Sequence, residues 1–344
     1  MEDIARECGV TKMTVSRVLA GKANVKNSTR QKILEAAARL KYEINTLAQN
    51  FNNNRSGFIA VATPFEGLLG SPYFGEVFRG VDKVIRGSDY DLALFNTHAE
   101  SFNDGVKLAR LYSQRRVDGI LIVAAHTTDD FIATLEHQQV PMVVIGEQVP
   151  ASSTCSISCE DARGIEKVCS HLYDLGHRRI AFVEGPPDFL TAIRRRGAFV
   201  DFCVARGLEL PPSYIHEGGY TMRSGRVAGQ KFLSMPNRPT AIVAANDLMA
   251  FGVIEAARSM GLDVPGDVSV AGFDDLPTAT DRFPSLTTIH QPVFEMGELG
   301  TRILLEAMEK GEVPTLQTTL PVSLIVREST RPPAEASKPA QVLA

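Results

Sequence analysis

The chain has 344 residues, of which 44% are hydrophobic and 22% charged, an ordinary composition for a globular protein of two or three domains. It contains no run of 18 apolar residues and begins MEDIARECGV, without the apolar region of a signal peptide, so we expect no membrane span and a cytoplasmic location. The net charge of −4 is unevenly distributed, because residues 1–58 hold ten Lys and Arg against five acids while the remainder is acidic. A basic head joined to an acidic body is typical of a module that binds a polyanion.

Cysteine usage and the absence of catalytic motifs exclude several classes of protein. The five cysteines are odd in number and scattered, as expected for reduced thiols, and the pair Cys155 and Cys159 lacks the second pair that a zinc site needs. The sequence contains no G-x-S-x-G, Walker A or H-E-x-x-H motif. We expect His177, in LGHRRIAF, at a helix-to-strand turn rather than in catalysis. We therefore predict neither an enzyme nor a bound cofactor or metal.

The first 42 residues show the pattern of three short helices, which we place at about Asp3–Cys8, Lys12–Leu19 and Thr29–Leu40. Gly9 suits the left-handed end of the first helix, and Thr11 suits the N-cap of the second. Ala5, Gly9 and Val15 have the spacing of a helix-turn-helix. The core residues predicted for this head are Ile4, Val15, Val18, Leu19, Ile33, Leu34, Ala37 and Leu40.

The second helix has the composition of a DNA-recognition helix. Arg17 suits bidentate bonds to guanine, and Met13 suits contact with a thymine methyl group. Phosphate contacts that fix the register are predicted for Thr11, Thr14, Ser16 and Asn24. The alternative is a generic helical bundle with a basic surface.

From Phe58 onward, apolar runs of strand length alternate with helical segments, and the pattern occurs twice, before and after about residue 160. The predicted strands are FIAVATP, DLALFNT, GILIVAA, MVVIGE, RIAFVEG, AIVAAND and VSVAGFDD. Such alternation predicts two α/β lobes, each a parallel sheet covered by helices on both faces, with a cleft between them.

Ligands of such sheets bind beyond the carboxyl ends of the strands, so the polar residues there are candidate contacts. These are Glu147, Asn246, Asp247, Asp274 and Asp275. The structural alternative is that Asp247 and one of Asp274 and Asp275 cap helices. One Arg of the triplet at 194–196 is expected to reach the cleft, and Tyr220 and Phe74 offer flat faces for stacking on a sugar or a base.

The combined motifs resemble those of the LacI/GalR family of bacterial transcription regulators. They include DIARECGVTKMTVSRVLAGK, RRVDGILI, LGHRRIAFVEGP, VAANDLMAFGVIEAARSMGLDVPGDVSVAGFDD and VREST, and they span nearly the whole chain to about residue 330. The resemblance implies a helix-turn-helix head, a short hinge helix and a periplasmic-binding-protein-like core of two doubly wound lobes. It also implies that the core dimerises and binds a small effector, which alters the affinity of the protein for double-stranded operator DNA.

Carried over to this sequence, the resemblance makes Lys12, Met13 and Arg17 base-contacting residues. The hinge helix matches NTLAQNF, and its predicted DNA contacts are Asn45, Leu47, Ala48 and Phe51. Phe51 replaces the usual Leu as the apolar wedge in the minor groove. A helix this short and rich in Asn is marginal in water, so we expect it to form only on DNA, although a simple tether is the alternative.

For the effector, the resemblance implies contacts from the cleft-lining segment that contains Tyr73 and Phe74, and from Arg195, Tyr220, Asn246 and Asp274. An Arg, an Asn and an Asp around an aromatic plate suit several vicinal hydroxyls, so we predict a sugar or sugar acid. Glu147 stands near a position where the family usually has an Asp. The alternatives are a nucleobase- or nucleoside-responsive regulator and a solute-binding protein with no role on DNA.

We divide the chain into a head (1–44), a hinge and linker (45–57), a core (58–330) and a disordered tail (331–344). Lobe one is predicted at about 58–160 and 292–322, and lobe two at about 161–291 and 323–330. The tail has no leucine heptads, so we expect a homodimer that binds a pseudo-palindromic operator. The family pattern also has a Thr upstream of DIA and a Pro at the position of Ile44, and this sequence departs from both.

Overall fold

The computed structural model describes residues 1–19, 25–40, 42, 55–63, 71–96, 103–123, 130–149 and 154–334. Several predicted DNA contacts therefore lie outside the described residues, namely Asn24, Asn45, Leu47, Ala48 and Phe51. Most of the predicted tail, residues 335–344, also lies outside them.

The head folds as three helices, α1 (Glu2–Cys8), α2 (Lys12–Leu19) and α3 (Asn27–Arg39). Gly9 ends α1 with a φ of 64°, and the hydroxyl of Thr11 accepts the backbone N–H of Thr14 at 3.2 Å, as the sequence predicted. The buried residues are Ile4, Ala5, Val15, Val18, Ile33, Ala36 and Ala37.

Two predicted core residues of the head are exposed. Leu34 is 44% exposed and Leu40 is 43% exposed. The buried face of α3 consists of Ile33, Ala36 and Ala37, which lie on one side of the helix at spacings of three and four residues. Leu34 falls outside that face, and Leu40 follows the last helical residue. The small side chains of the two alanines let α3 approach the other helices closely.

The described part of the core contains twelve strands and eight longer helices. The strands are β1 (Phe58–Thr63), β2 (Asp91–Asn96), β3 (Gly119–Val123), β4 (Met142–Ile145), β5 (Cys155–Cys159), β6 (Ile180–Glu184), β7 (Ile215–Glu217), β8 (Ala241–Ala244), β9 (Ser269–Ala271), β10 (Thr288–His290), β11 (Gln317–Leu320) and β12 (Ser323–Ile325). The helices are α4 (Pro72–Ile85), α5 (Asn103–Ser113), α6 (Asp130–His137), α7 (Asp161–Asp174), α8 (Leu190–Ala205), α9 (Met222–Leu233), α10 (Asp247–Ser259) and α11 (Val293–Lys310).

These elements form two parallel sheets. The first sheet has the strand order β11-β5-β4-β3-β1-β2, and the second has the order β7-β6-β8-β9. Strands β10 and β12 pair antiparallel in a small ribbon. By this order the chain passes between the sheets at residues 159–161, 290–293 and 320–323. The predicted fold class, an all-α head with a core of two doubly wound lobes, is confirmed.

Each lobe contains one pair of helices that cross at very short distance. In the first lobe, a Cβ added to Gly80 of α4 would lie 2.0 Å from the carbonyl oxygen of Phe294 in α11. In the second lobe, a Cβ added to Gly225 of α9 would lie 2.1 Å from the carbonyl oxygen of Met249 in α10. Glycine is therefore required where these backbones touch. Among the described helices, none is long and apolar enough to cross a lipid bilayer.

Candidate functional site

A cavity lies between the lobes, beyond the carboxyl ends of their strands. Its lining residues are Ser71, Tyr73, Gly146, Glu147, Phe189, Thr191, Arg195, Tyr220, Asn246, Leu248, Asp274, Leu276 and Gln291.

The lining includes six of the seven residues predicted from the sequence: Tyr73, Glu147, Arg195, Tyr220, Asn246 and Asp274. Phe74 is not among them. Its side chain is 6% exposed and stacks on Phe78 in the core of the first lobe, with 6.0 Å between the ring centroids. Phe74 and Tyr73 are neighbours on α4, so their side chains point in different directions and only Tyr73 reaches the cavity.

The guanidinium group of Arg195 is buried and held by three protein acceptors. Its Nε donates to Asp161 Oδ1 at 2.8 Å, and its Nη1 donates to the carbonyl of Ala245 at 2.6 Å. Its Nη2 donates to Gln291 Oε1 at 3.3 Å. The guanidinium carbon also lies 3.7 Å from the centre of the Phe273 ring, a cation–π contact. Burial alone lowers the pKa of Arg195, but Asp161 and other acidic groups raise it above its ordinary value.

Glu147 connects the two lobes. It follows β4 of the first sheet, is 1% exposed, and its Oε1 accepts both the hydroxyl of Thr191 at 2.8 Å and the backbone N–H of Thr191 at 3.2 Å. Its Oε2 accepts Arg194 Nη2 at 3.0 Å. Both partners belong to α8 of the second lobe. Burial raises the pKa of Glu147 to about 7, although Arg194 lowers it.

Asp274 is the second buried carboxyl group of the cavity. It is 5% exposed, its φ is 137°, and its backbone bonds the crossing segment through Ile289 and Gln291. Arg195 Nη1 lies 4.0 Å from Asp274 Oδ1, beyond hydrogen-bond distance. Burial and the nearby carboxylate of Asp247 raise the pKa of Asp274 well above its usual range. Asp275 faces elsewhere, where it accepts Arg327 Nη2 at 2.6 Å and His290 Nδ1 at 3.0 Å.

Tyr220 is positioned by its backbone and by an adjacent glycine. Its φ is 55°, and its ring packs edge-to-face on Phe189 with 5.9 Å between the centroids. A Cβ added to Gly185 would lie 2.3 Å from the Tyr220 ring, so glycine leaves the space that the ring occupies. Tyr220 and Phe189 together supply the aromatic faces of the cavity in the second lobe.

Asn246 both caps a helix and lines the cavity. Its Oδ1 accepts the backbone N–H of Met249 at 2.9 Å, so Asn246 is the N-cap of α10 and the predicted capping role of Asp247 is wrong. Asp247 is fully buried, and its carboxylate accepts the hydroxyl of Thr288 at 2.5 Å and the backbone N–H of Leu276 at 3.0 Å. It thereby fixes the loop that follows Asp275.

The sequence analysis did not identify several residues of this site. The missed residues are Asp161, Phe189, Thr191, Arg194, Leu248, Leu276 and Gln291, whereas Ser71 belongs to the cleft-lining segment that the resemblance predicted. Four of them have a signal in the sequence, since Asp161, Phe189, Thr191 and Leu248 lie at the starts of helices that follow strands. Gln291 has none, because it lies in a crossing between the lobes that only the sheet order reveals.

The second helix of the head presents its predicted DNA contacts on the surface. Met13 is 64% exposed, and the side chains of Thr11, Lys12 and Arg17 are also exposed, whereas Thr14 and Ser16 are half-buried. Lys12 Nζ donates to Glu2 Oε1 at 2.9 Å, and this contact raises the pKa of Lys12. The outward face of α2 is therefore free for contact in the described part of the head.

A helix-turn-helix joined to a two-lobed core with an interlobe cavity combines a DNA-binding module with a pocket for a small ligand. Two family profiles match the chain: "Bacterial regulatory proteins, lacI family" at residues 1–45 and "Periplasmic binding protein-like domain" at residues 169–330. Catabolite control protein A of Priestia megaterium is 31% identical over 330 residues, which cover 96% of this chain and 98% of that protein. The chain therefore belongs to the lacI family of bacterial transcription regulators, which bind DNA and are not enzymes.

Solved structures agree with this assignment. The lac repressor dimer bound to operator and the anti-inducer ONPF has a TM-score of 0.85 and 27% identity, covering 96% of this chain and 98% of that one. A complex of the transcriptional regulator CelR with cellobiose has a TM-score of 0.73 and 27% identity, covering 95% and 98%.

Proposed function

We propose that the protein is a sequence-specific repressor whose affinity for operator DNA is controlled by a sugar or sugar acid bound between its lobes. The observation that supports this proposal is the convergence of Arg195, Asn246 and Asp274 with the aromatic rings of Tyr220 and Phe189 in one cavity. Carboxyl and amide groups bond vicinal hydroxyls, and aromatic faces pack on the C–H face of a sugar ring. The CelR complex shows that a related regulator binds cellobiose.

The DNA-binding half of the proposal concerns the head and hinge. Two heads of a homodimer present α2 to successive major grooves of a pseudo-palindromic operator, in the cytoplasm where the chromosome lies. Segment 45–51 forms a helix on DNA, and Phe51 inserts into the minor groove as a wedge. The hinge proposal is wrong if the variant Phe51→Ala bends operator DNA as the parent does.

A gel-shift assay with DNA from upstream of the protein's own gene tests the whole proposal. We expect a specific band that weakens between about 50 and 200 mM salt, because phosphate contacts release counterions. A sugar found by thermal shift is expected to change this band for the parent but not for Asp274→Ala, which should bind operator with unchanged affinity. The absence of a specific band contradicts the repressor proposal, and an unchanged sugar affinity of Asp274→Ala contradicts its assignment to the cavity.

A further inference from the structure

The charged side chains beside the cavity form one continuous series that spans both lobes. Glu147 bonds Arg194 at 3.0 Å, Arg194 Nε bonds Asp161 Oδ2 at 3.1 Å, and Asp161 bonds Arg195 at 2.8 Å. Two carboxylates and two guanidinium groups therefore neutralise one another, with every member but Arg194 almost fully buried. Neither arginine has an unpaired charge to offer to an anion in the cavity.

The N-termini of three helices also face the cavity, and such N-termini ordinarily bind anions. Each of them already has an acceptor from the protein. Ser71 Oγ accepts the N–H of Phe74 in α4, Asn246 Oδ1 accepts that of Met249 in α10, and Glu147 Oε1 accepts that of Thr191 in α8. The third acceptor, Glu147, comes from the opposite lobe. Its carboxylate lies where a ligand anion would bind the N-terminus of α8.

Asp274 adds a further carboxyl group, and the cation beside it, Arg195 at 4.0 Å, is shared with Asp161. Arg195 is the only Lys or Arg among the described residues of the lining, and its charge is paired with Asp161. The segments that follow β1, β2 and β3 in the sequence, 64–70, 97–102 and 124–129, contain no Lys or Arg. Burial raises the pKa of both Glu147 and Asp274, as expected where carboxyl groups outnumber accessible positive charge.

We propose that the cavity selects a neutral carbohydrate and rejects its anionic derivatives. Glu147 sets this selectivity because it pairs with Arg194 and accepts a backbone N–H at the start of α8. This inference rests on the proposed carbohydrate effector and narrows it from sugars and sugar acids to uncharged sugars. A hydroxyl group donates to Asp274 and accepts from Asn246, so a neutral sugar satisfies both. A uronate or sugar phosphate would instead lie beside two carboxyl groups with no free Lys or Arg among the described lining residues, which is costly in a buried site.

The test uses the full chain and matched ligand pairs. Thermal shift at pH 7.5, followed by titration calorimetry, compares glucose with glucuronate and glucose 6-phosphate, galactose with galacturonate, ribose with ribose 5-phosphate, and cellobiose with cellobionate. We expect the stabilising ligand to be a neutral member, with its acid or phosphate binding at least about tenfold more weakly. An acidic member that binds as tightly as its neutral counterpart overturns the inference and leaves the carbohydrate effector in place. If no carbohydrate raises the melting temperature, both proposals fall.

The variant Glu147→Gln isolates the role of the carboxylate, because glutamine retains an oxygen for Thr191 but no charge for Arg194. We expect the affinity ratio of neutral to acidic ligand to fall by about tenfold, as Arg194 becomes available to an anion. The control Glu306→Gln removes an exposed acid of α11 and should leave the ratio unchanged. A cooperative unfolding transition shows that Glu147→Gln is folded, and an unchanged ratio in that folded variant contradicts the role of Glu147.

Discussion

At the scale of single residues, His177 shows a polar side chain used for structure alone. It is 1% exposed, and its Nε2 bonds the carbonyl oxygen of Arg331 at 2.9 Å while its Nδ1 bonds the hydroxyl of Thr240 at 2.9 Å. A carbonyl oxygen only accepts, so Nε2 carries a proton, and burial, which lowers the pKa of His177 to about 4, keeps the ring neutral at pH 7. His177 therefore ties the end of the described chain to the second sheet, at the turn where the sequence predicted it.

This environment predicts a pH-dependent stability. Burial lowers the pKa of His177 from 6.5 to about 4, so between these values the unfolded chain binds the proton and the folded protein does not. The stabilisation is complete above pH 6.5 and is lost as the pH falls towards 4. We expect His177 to contribute a loss of about 2 kcal/mol in unfolding free energy between pH 7 and pH 5. Urea unfolding of the parent and His177→Gln at both pH values measures it, and equal pH slopes would contradict the assignment.

At the scale of secondary-structure elements, the contact of α4 with α11 connects the cavity to the frame of the first lobe. The start of α4 provides Ser71 and Tyr73 to the cavity, and its middle crosses α11 at Gly80. Helix α11 immediately follows one of the crossings between the lobes. A movement of α11 at this connection between the lobes therefore moves α4, and with it the cavity wall, relative to the second lobe.

Two glycines of α4 allow a matched test of the close contact between α4 and α11. A Cβ at Gly80 meets the backbone of Phe294 and Glu298, whereas a Cβ at Gly75 meets nothing within 4 Å. We expect Gly80→Ala to lower the unfolding free energy by about 1–3 kcal/mol, since two backbones must separate. Gly75→Ala should be neutral or stabilising by up to about 1 kcal/mol, because alanine is the better helix former. Urea unfolding measures both, and equal stability of the two variants would mean that the crossing is looser than described.

The strands also differ in whether the sequence alone could predict them. The strands β1, β2, β3, β4, β6, β8 and β9 were predicted because each lies in a short run rich in apolar residues. The strand β5, with the sequence CSISC, was missed although it is completely buried, and Ser156 has no hydrogen-bond partner for its hydroxyl among the described residues. Its burial comes from β4 and β11 on either side, and β11 arrives from 158 residues later in the chain. No local sequence pattern indicates a neighbouring strand that lies so far along the chain.

At the scale of the whole molecule, the proposed function assigns DNA binding to the basic head and ligand sensing to the acidic core. A ligand that prefers one arrangement of the lobes shifts the population of that arrangement, and the shift reaches the DNA only if the hinge responds to it. In the proposed homodimer the two functions meet, because two recognition helices must match the spacing of two half-sites.

This arrangement makes a prediction for Arg17. If a homodimer reads a pseudo-palindrome and Arg17 contacts a guanine, Arg17→Ala should cost about 1–3 kcal/mol and relax one base position in each half-site. Binding to a library of operator variants measures this effect. A uniform loss over all sequences would make Arg17 a phosphate contact, and relaxation in only one half-site would contradict symmetric recognition. The control Arg226→Ala alters an arginine of α9 in the core and should leave operator preference unchanged.

The sequence by itself determined the three helices of the head, the two α/β lobes and six of the residues that line the cavity. The helices and lobes follow from hydrophobic periodicity, and Glu147, Asn246 and Asp274 follow from the rule that strand ends face the ligand; both are local in the chain. Tyr73 and the choice of Arg195 within its triplet came from the resemblance to the LacI/GalR family. Only the tertiary structure decided that Phe74 faces the core, that Asn246 rather than Asp247 caps α10, and that Glu147, Arg194, Asp161 and Arg195 form one series. Those outcomes depend on which groups from distant segments compete for the same hydrogen bonds and the same space, and that competition exists only after the lobes have packed together.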